Sequence, residues 1–373
     1  MSVDSSLRDG FERGLRAPIC LTWELTYACN LACAHCLSSS GRRDPRELTT
    51  ADAMAVVDEI AAMGVFYVNV GGGEPMIRRD FFEIVEYAVS RRVGVKFSTN
   101  GTRIDAAAAR RLAATPYLDL QVSLDGADAA TNDALRGAGS YAAARRAMDH
   151  LRDAGVSDFK ISVVVTRDNV DQLDDFDALA RDYRAQLRLT RLRPSGRGGD
   201  VWDALHLRAH QQRPLYEWLV AHPHVLTGDS FFHLSALGPL EGLNLCGAGR
   251  VVCLIDPVGD VYACPFVLHP QFRAGNVRDA GFAAVWRDSE LFATLREPAS
   301  PGACSSCGSY DACRGGCMAS KFFTGLDLSD PDPECVWGHG DAALASRPLT
   351  IRPRASVTHS RRGAGDREVV GLG

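Results

Sequence analysis

The 373-residue sequence lacks three features, and each absence excludes a class of protein. It has no apolar run of the roughly 18 residues that a membrane-spanning helix needs. Its opening segment, MSVDSSLRDGFERGLRAP, has no apolar core like that of a secretory signal peptide. Its 41 Lys and Arg residues face 46 Asp and Glu residues, so it lacks the basic surplus of proteins that bind nucleic acids. We therefore expect a cytoplasmic protein with no membrane partner and no nucleic-acid partner.

Cysteine, by contrast, is abundant, with 12 residues in the chain. Without an export signal, closely spaced thiols more often bind metal or perform redox chemistry than form disulfides. Cys29, Cys33 and Cys36 lie close together, and the next cysteine downstream is Cys246. A structural metal site is normally closed by four ligands, whereas a catalytic site keeps one position open. The loop therefore favours a catalytic centre, with a small zinc site completed by His35 as the alternative.

Strand and helix patterns alternate along the first half of the chain. Stretches typical of strands occur at residues 20–26, 65–70, 93–99, 117–124, 158–166 and 186–194. The segments between them have apolar residues at helical spacing, and Thr50 is the expected N-cap of the first helix. This alternation predicts an α/β fold with a parallel sheet and right-handed crossovers, either an open doubly wound sheet or a partial barrel.

Unusual polar or glycine-rich segments follow five of these strands. They are ACNLACAHC, GGGEP, STNG, SLDG and LRPSGRG. Ligands of parallel α/β folds bind at the carboxyl ends of the strands. We therefore expect the five segments to meet at one mouth of the sheet, around the three cysteines.

The C-x3-C-x2-C spacing after the first strand resembles the signature of radical S-adenosylmethionine (SAM) enzymes. The resemblance implies a partial (β/α)6 TIM-like barrel and a [4Fe–4S] cluster held by Cys29, Cys33 and Cys36. The free iron of this cluster would be chelated by the amino and carboxylate groups of SAM. One electron would then cleave SAM, and the resulting 5′-deoxyadenosyl radical would remove a hydrogen atom from the substrate.

The same resemblance implies which residues contact SAM. GGGEP matches the family's GGE motif, in which glycines allow close approach of the backbone and Glu74 suits the ammonium group of SAM. Arg136 matches a position that meets the cofactor carboxylate, and His35 matches one that lies against adenine. The full expected set is His35, Gly72, Gly73, Glu74, Ser98, Asn100, Ser123, Asp125, Arg136 and Leu192. Each of these could instead belong to an ordinary turn, a solvated surface or the core.

Eight further cysteines form a second set in the C-terminal third of the chain. CGAGRVVCLIDPVGDVYAC and CSSCGSYDACRGGC, followed by a distant cysteine, resemble the SPASM domain of peptide-modifying radical SAM enzymes. The resemblance implies two auxiliary [4Fe–4S] clusters, one held by Cys246, Cys253, Cys264 and Cys317 and the other by Cys304, Cys307, Cys313 and Cys335. Such clusters could transfer electrons but not bind substrate, and two structural zinc sites are the alternative. The remaining cysteine, Cys20, is expected to be an ordinary buried thiol.

Over most of residues 11–340 the motifs together resemble the mycofactocin maturases, a family of peptide-modifying radical SAM enzymes. The resemblance implies an oxidoreductase or lyase that decarboxylates the C-terminal Tyr of a short ribosomal precursor peptide ending in Val-Tyr. A carbon–carbon bond between Val and the former Tyr backbone would follow. The expected partners are the precursor peptide, an electron donor and a small peptide-binding chaperone protein, since the N-terminal segment is too short for a fused recognition domain. The alternatives are another SPASM-type maturase, such as a sulfatase-modifying enzyme, and a non-catalytic iron–sulfur or zinc protein.

The sequence does not single out residues that contact the substrate. Sulfatase-modifying relatives have an Asp base where this chain has Pro265, which counts against that alternative. No base is chosen among Asp256, Asp260 and Tyr262. Two interpretations are open for three arginines: they bind a peptide carboxylate, or they are surface charges. These are Arg191, Arg193 and Arg197. Core positions are expected for Phe231 and Phe232.

The expected organisation has five parts. An N-terminal segment (1–18) precedes the radical SAM partial barrel (19–200), a connector (201–245) and the SPASM iron–sulfur domain (246–340). The remaining residues, 341–373, are rich in Arg and Gly with few large apolar residues, and we expect this tail to be disordered.

Overall fold

A computed structural model describes residues 10–11, 13–227, 231–238, 240, 246–297 and 300–346. Its first half is a sheet of six parallel strands in chain order. They are β1 (Cys20–Thr26), β2 (Tyr67–Gly72), β3 (Gly94–Thr99), β4 (Leu118–Ser123), β5 (Lys160–Val165) and β6 (Gln186–Arg191). The predicted number and parallel direction of the strands are confirmed, and their order is that of a barrel and not of a doubly wound sheet.

Helices connect these strands as the alternation predicted. They are α1 (Thr50–Ala62), α2 (Phe81–Ser90), α3 (Ala106–Ala114), α4 (Ala129–Arg136), α5 (Ser140–Asp153) and α6 (Leu173–Asp182). The predicted cap of α1 was wrong by one residue. Thr49 is the N-cap, because its side chain accepts from the Asp52 N–H while the Asp52 carboxylate accepts from the Thr49 N–H.

The C-terminal cysteine-rich region extends the same sheet. Strand β7 (Val252–Ile255) pairs with β1 in parallel, and β8 (Asp260–Tyr262) and β9 (Arg273–Asn276) continue it antiparallel. The strand order is β6-β5-β4-β3-β2-β1-β7-β8-β9, so the sheet is open and β6 does not pair with β1. The predicted partial barrel is confirmed, and β7 occupies the edge of β1 that would otherwise be unpaired.

The connector and the C-terminal region contribute mostly short helices. They are α7 (Trp202–Leu205), α8 (Ala209–Ala221), α9 (Val277–Ala280), α10 (Phe282–Asp288), α11 (Glu290–Arg296), α12 (Tyr310–Cys313), α13 (Met318–Phe323) and α14 (His339–Ala345). Helix α14 runs into the segment assigned to the tail, and residues 347–373 lie outside the described residues. After α8, the backbone of Leu226 bonds to Leu187 and Leu189, so the connector lies along the free edge of β6.

Alternation along β1 separates the core from a cavity. Leu21, Trp23 and Leu25 are almost fully buried in the hydrophobic core, whereas Thr22 and Glu24 on the opposite face line the cavity. Phe231 and Phe232 are buried in this core as expected. Among the described residues, no helix combines the length and hydropathy that crossing a membrane requires.

Candidate functional site

A cavity of about 920 Å³ lies on the inner face of the sheet. Its mouth is formed by the loops that follow β1, β2 and β3, and its walls by inward side chains of all six parallel strands. Cys29, Cys33 and Cys36 all line it. The predicted meeting of the five special segments is thus observed, since each of them contributes at least one residue to the lining of this cavity.

Arg197, in the segment after β6, supports the cysteine loop through hydrogen bonds. The Arg197 guanidinium donates from Nε to the Cys33 carbonyl at 2.8 Å and from Nη1 to the Ser40 carbonyl at 3.0 Å. The Arg197 N–H donates to the Cys36 carbonyl at 3.0 Å. These bonds fix the backbone of the loop whose three thiols line the cavity. Arg197 is therefore a support of the loop and not a surface charge.

The glycines of GGGEP let the second loop pack directly on the first. The Gly73 N–H donates to the Thr26 carbonyl and the Glu74 N–H to the Ala28 carbonyl, both at 2.8 Å. A Cβ at Gly73 would lie 1.9 Å from the Ala28 oxygen, and Gly72 has a φ of 114°. Only glycine allows this contact, so the motif positions the cysteine loop.

Glu74 does not line the cavity. Its carboxylate accepts from the Thr99 hydroxyl at 2.9 Å, the Asn100 N–H at 2.8 Å and the Met76 N–H at 3.2 Å. Burial raises the pKa of Glu74 to about 7. The contacts tie the loops after β2 and β3 together, which differs from the expected contact with a ligand ammonium group.

Asp125 likewise lies behind the cavity, where it holds two side chains that line it. Its carboxylate is 2.6 Å from Arg136 Nε and 2.9 Å from His35 Nε2, and it accepts the Val164 N–H at 2.7 Å. Although burial opposes ionisation, the Arg136 and His35 charges and these hydrogen bonds hold the pKa of Asp125 below its ordinary value. The sequence suggested a direct ligand contact, whereas the geometry gives Asp125 a positioning role.

Because Nε2 of His35 is engaged by Asp125, only Nδ1 remains available to a ligand. This nitrogen is buried and has no hydrogen-bond partner among the described residues.

The remaining residues expected to contact SAM line the cavity. They are Gly72, Gly73, Ser98, Asn100, Ser123 and Leu192, besides His35 and Arg136. Sequence reasoning missed Gln121, whose Nε2 donates to the Ser98 hydroxyl at 2.8 Å. Its position two residues before Ser123 on the same face of β4 was the available signal. Cys20 was also misjudged, because it lines the cavity and is only partly buried.

The C-terminal thiols form two groups. Cys246, Cys264 and Cys317 line one small cavity together with Val252. Cys253 follows Val252 in β7, so its side chain lies on the opposite face, in the hydrophobic core. The structure therefore does not bring Cys253 to the three cysteines with which it was grouped.

The other four cysteines are mutual neighbours. Burial raises the pKa of Cys304, Cys313 and Cys335, and electrostatic repulsion among these thiols and Cys307 raises it further. This is the grouping that the SPASM resemblance implied.

A buried ionic cluster links the end of β6 to these cysteines. Arg191 bonds bidentately to Asp332 at 2.8 and 3.2 Å, lies 2.7 Å from Glu334, and donates to the Ser320 hydroxyl at 2.9 Å. Asp332 also accepts the Cys317 N–H at 2.7 Å. Arg191 is therefore neither a surface charge nor available to a peptide carboxylate, since its own carboxylates already occupy it.

None of the three candidate bases lines the cavity. Asp256 is buried, accepts the Tyr27 hydroxyl at 2.6 Å, and also accepts the N–H groups of Val258 and Asp260. Asp260 pairs with Arg273 at 2.6 Å. The cavity instead contains Pro265, the residue that replaces the sulfatase-type base.

The donor chemistry of the mouth fits an iron–sulfur cluster with SAM. None of the 12 cysteines is in a disulfide, and the three of the loop after β1 face one cavity, next to a second loop that admits no side chain at Gly73. Within the described part of the chain, no three His, Cys, Asp or Glu side chains are arranged to hold a single metal ion. The ligands of a four-iron cluster are thiolates bound to separate irons.

Two family models and a relative of similar length match this chain. A family model for the radical SAM superfamily matches residues 23–180, and one for an iron–sulfur cluster-binding domain, SPASM, matches residues 246–308. A mycofactocin maturase of Mycolicibacterium smegmatis is 66% identical over 360 residues, which cover 95% of this chain and 91% of that relative.

Solved structures share the fold. SuiB of Streptococcus suis bound to S-adenosylmethionine has a TM-score of 0.71 at 19% identity, covering 89% of this chain and 80% of SuiB. SuiB bound to precursor peptide SuiA has a TM-score of 0.72 at 19% identity, covering 89% and 78%.

Proposed function

The chain belongs to the mycofactocin maturase family of radical SAM peptide maturases, and from this premise we propose the reaction that it performs. Its substrate is a ribosomal precursor peptide that ends in Val-Tyr. In the first reaction a hydrogen atom and one further electron leave the terminal tyrosine, and its carboxylate departs as carbon dioxide. An unsaturated tyramine with a new carbon–carbon double bond remains. The second reaction forms a carbon–carbon bond between the valine and the former tyrosine backbone.

The observation that carries this proposal is the set of three free thiols facing a cavity of about 920 Å³ with no fourth cysteine in their loop. Cys29, Cys33 and Cys36 would hold the cluster that binds SAM. When bound, the cluster and SAM supply the oxidising equivalent that removes the hydrogen atom.

The chain's own residues fix where that hydrogen atom is taken. Asp125 holds the side chains of His35 and Arg136 towards the mouth, where they would contact the adenine and the carboxylate of SAM. Ser98, Asn100 and Ser123 would contact the ribose and amino-acid portions. Glu74 would act indirectly, by fixing the loop that carries Asn100.

The further electron requires an acceptor, and we assign this role to two auxiliary clusters in the SPASM region. Cys304, Cys307, Cys313 and Cys335 would hold one of them. Cys246, Cys264 and Cys317 would hold the other. The ionic cluster around Arg191 supports this arrangement, because it fixes the backbone of Cys317 against the end of β6.

The partners follow from the same family. The peptide would be presented by a separate small peptide-binding protein, and an external electron donor would reduce the first cluster. Sulfatase-type modification is disfavoured because Pro265 provides no base in the cavity. Cytoplasmic localisation is part of this proposal.

The test is anaerobic turnover of reconstituted protein with SAM, a reductant, the peptide-binding protein and a synthetic peptide ending in Val-Tyr. We expect 5′-deoxyadenosine and carbon dioxide, with a peptide product lighter by one formic-acid equivalent. The variant Cys33→Ser should yield neither. Protein that has its full iron content and still forms no 5′-deoxyadenosine would refute the proposal.

Metal content tests the ligand sets separately. We expect about 12 irons per chain if all three sites hold four-iron clusters. Cys264→Ser should lose about four of them, whereas Cys253→Ser should keep them, because the Cys253 side chain lies on the opposite face of β7. Zinc in place of iron would favour the structural alternative.

A further inference from the structure

The lining of the cavity has an uneven charge distribution. Six basic side chains line it, whereas Glu24 is the one carboxylate among the described lining residues. The basic residues are Lys96, Arg136, Arg188, Arg191, Arg193 and Arg197. This excess is local, since the chain as a whole has a net charge of -5. A cationic interior in an acidic protein suits an anionic ligand.

Three of these cations are already engaged by the protein. Arg136 pairs with Asp125 at 2.6 Å, and Arg191 pairs with two buried carboxylates. Arg197 donates to backbone carbonyls of the cysteine loop. Arg191 and Arg197 are therefore structural, and Asp125 holds Arg136 towards the mouth, so none of these three cations is assigned to the deeper part of the cavity.

Lys96 differs from them. It lies on the inner face of β3, half-buried, and its ammonium group forms no hydrogen bond or ion pair with any described residue. Asp119 is its register partner on β4, but the Asp119 carboxylate pairs with Lys160 at 2.5 Å. Lys96 is therefore half-buried beside a carboxylate that another lysine already occupies, which costs free energy, and an anionic ligand would offset that cost.

Arg188 adds a second positive charge at this level of the cavity. It extends from the inner face of β6 and donates to the Ser162 hydroxyl at 3.4 Å. Burial first, and then the charge of Arg188, lower the pKa of Lys96 to about 8. Lys96 thus remains cationic at neutral pH while it is repelled by its neighbour, and a bound carboxylate would relieve both effects.

Gln121 supplies an unused acceptor just above these cations. Its side chain is nearly fully buried and lines the cavity, and its Nε2 donates to the Ser98 hydroxyl. Its Oε1 has no hydrogen-bond partner among the described residues. A buried acceptor without a donor is unfavourable, so a ligand with an N–H group would complete it.

We propose that Lys96, with Arg188 beside it, binds the C-terminal carboxylate of the precursor peptide, while Gln121 Oε1 accepts a backbone N–H of the terminal residue. This assignment rests on the function proposed above and names the subsite that function requires. Lys96 lies two residues before Ser98 on the same strand face, about 7 Å deeper along β3. The terminal tyrosine therefore lies between the carboxylate subsite and the cysteine loop, within reach of the bound SAM. The proposed contacts bind and orient the peptide and include no covalent step.

The test compares a synthetic peptide ending in Val-Tyr as the free acid with the same peptide as its C-terminal amide. Binding of both to reconstituted holoenzyme with its peptide-binding protein is measured by fluorescence anisotropy under anaerobic conditions. The wild type should bind the acid about tenfold or more tightly than the amide, as expected for a charge-assisted hydrogen bond. Lys96→Met should bring the two affinities within about threefold of each other, and Lys96→Arg should restore most of the preference.

Arg110→Met is the matched control, because it removes one positive charge from an exposed position on α3. It should keep the wild-type preference for the acid. In turnover, Lys96→Met should raise KM for the acid peptide more than it lowers kcat, because the contact exists before the reaction.

The outcomes separate this inference from the proposed function. If the wild type prefers the acid and Lys96→Met retains that preference, the subsite is wrong even though carbon dioxide is still released. A wild type that binds acid and amide equally well also overturns the subsite. A wild type that prefers the acid through Lys96 yet releases no carbon dioxide supports the subsite and refutes the decarboxylation.

Discussion

Replacing Arg191 by Met should destabilise the protein more than any change of a surface arginine. Arg191 is buried, and its guanidinium is bonded to Asp332, Glu334 and the Ser320 hydroxyl. It also lies 2.8 Å from Nδ1 of His233, whose pKa burial keeps well below its ordinary value, so this imidazole is neutral and accepts. Met replaces the apolar part of the side chain but removes the charge and the donors.

The magnitude follows from what the substitution leaves behind. Asp332 and Glu334 are both almost fully buried, so two carboxylates would lose their common cation. Removing one partner of a buried ion pair typically costs about 3 to 5 kcal/mol. The total free energy of unfolding of an ordinary domain is about 5 to 15 kcal/mol, so this loss should be a large part of it. Because Asp332 also fixes the Cys317 N–H, iron content should fall as well.

The assay is guanidinium unfolding of anaerobic holoprotein, followed by far-ultraviolet circular dichroism, with Arg110→Met as the surface control. Asp332→Asn provides the decisive comparison, because Arg191 holds the pKa of Asp332 below its ordinary value whereas burial raises that of Glu334 to about 7. Combined with Arg191→Met, Asp332→Asn removes the stranded charge, so the double variant should be more stable than the sum of the single effects by about 1 to 3 kcal/mol. A loss below about 1 kcal/mol for Arg191→Met, or strict additivity with Asp332→Asn, would refute the reasoning.

Two further predictions concern Gly73 at the mouth of the cavity and Asp256 directly after β7. Gly73→Ala should lower the unfolding free energy of the apoprotein by at least about 2 kcal/mol, because the new Cβ would overlap the Ala28 carbonyl. The control is Gly71→Ala, where a Cβ meets open space, and it should change the unfolding free energy by less than about 1 kcal/mol. Equal effects of the two variants in denaturant titrations would contradict the proposed packing. Burial raises the pKa of Asp256 to about 7, above the value near 4 of an unfolded Asp. The folded state then binds the extra proton, so stability should fall as pH rises from about 4 through 7, by up to about 1.4 kcal/mol per pH unit relative to Asp256→Asn. Parallel pH profiles of the two proteins would show that Asp256 does not titrate in this range.

Much of the fold was predictable because its signals are local. The alternation of strand and helix patterns gave the six parallel strands, and the position of the cysteine and glycine motifs after those strands gave the mouth of the cavity. The addition of β7, β8 and β9 to the same sheet could not be predicted in this way. Strand β7 has only four residues, and its partner is β1, more than two hundred residues earlier. No local pattern encodes such a pairing.

In the candidate site, too, the sequence predicted some features of single residues, and only the structure showed the others. Sequence motifs identified Asp125 and Glu74, but both carboxylates bond to protein groups behind the cavity. Motif matching identifies a position, whereas the direction of a side chain depends on which charged groups from other elements surround it. For the same reason Arg191, which the sequence left as either a peptide-carboxylate ligand or a surface charge, proved to be the centre of a buried ionic cluster.

The sequence alone determined that three thiols would stand at the end of a strand, since cysteine spacing and strand–helix alternation are properties of neighbouring residues. Only the tertiary structure decided which face each side chain occupies. It placed Cys253 on the face of β7 opposite the small cavity that Cys246 lines, and it placed Lys96 inside the main cavity, near the charge of Arg188. The physical reason is that burial and charge pairing are set by contacts between distant segments, which exist only after the strands have assembled.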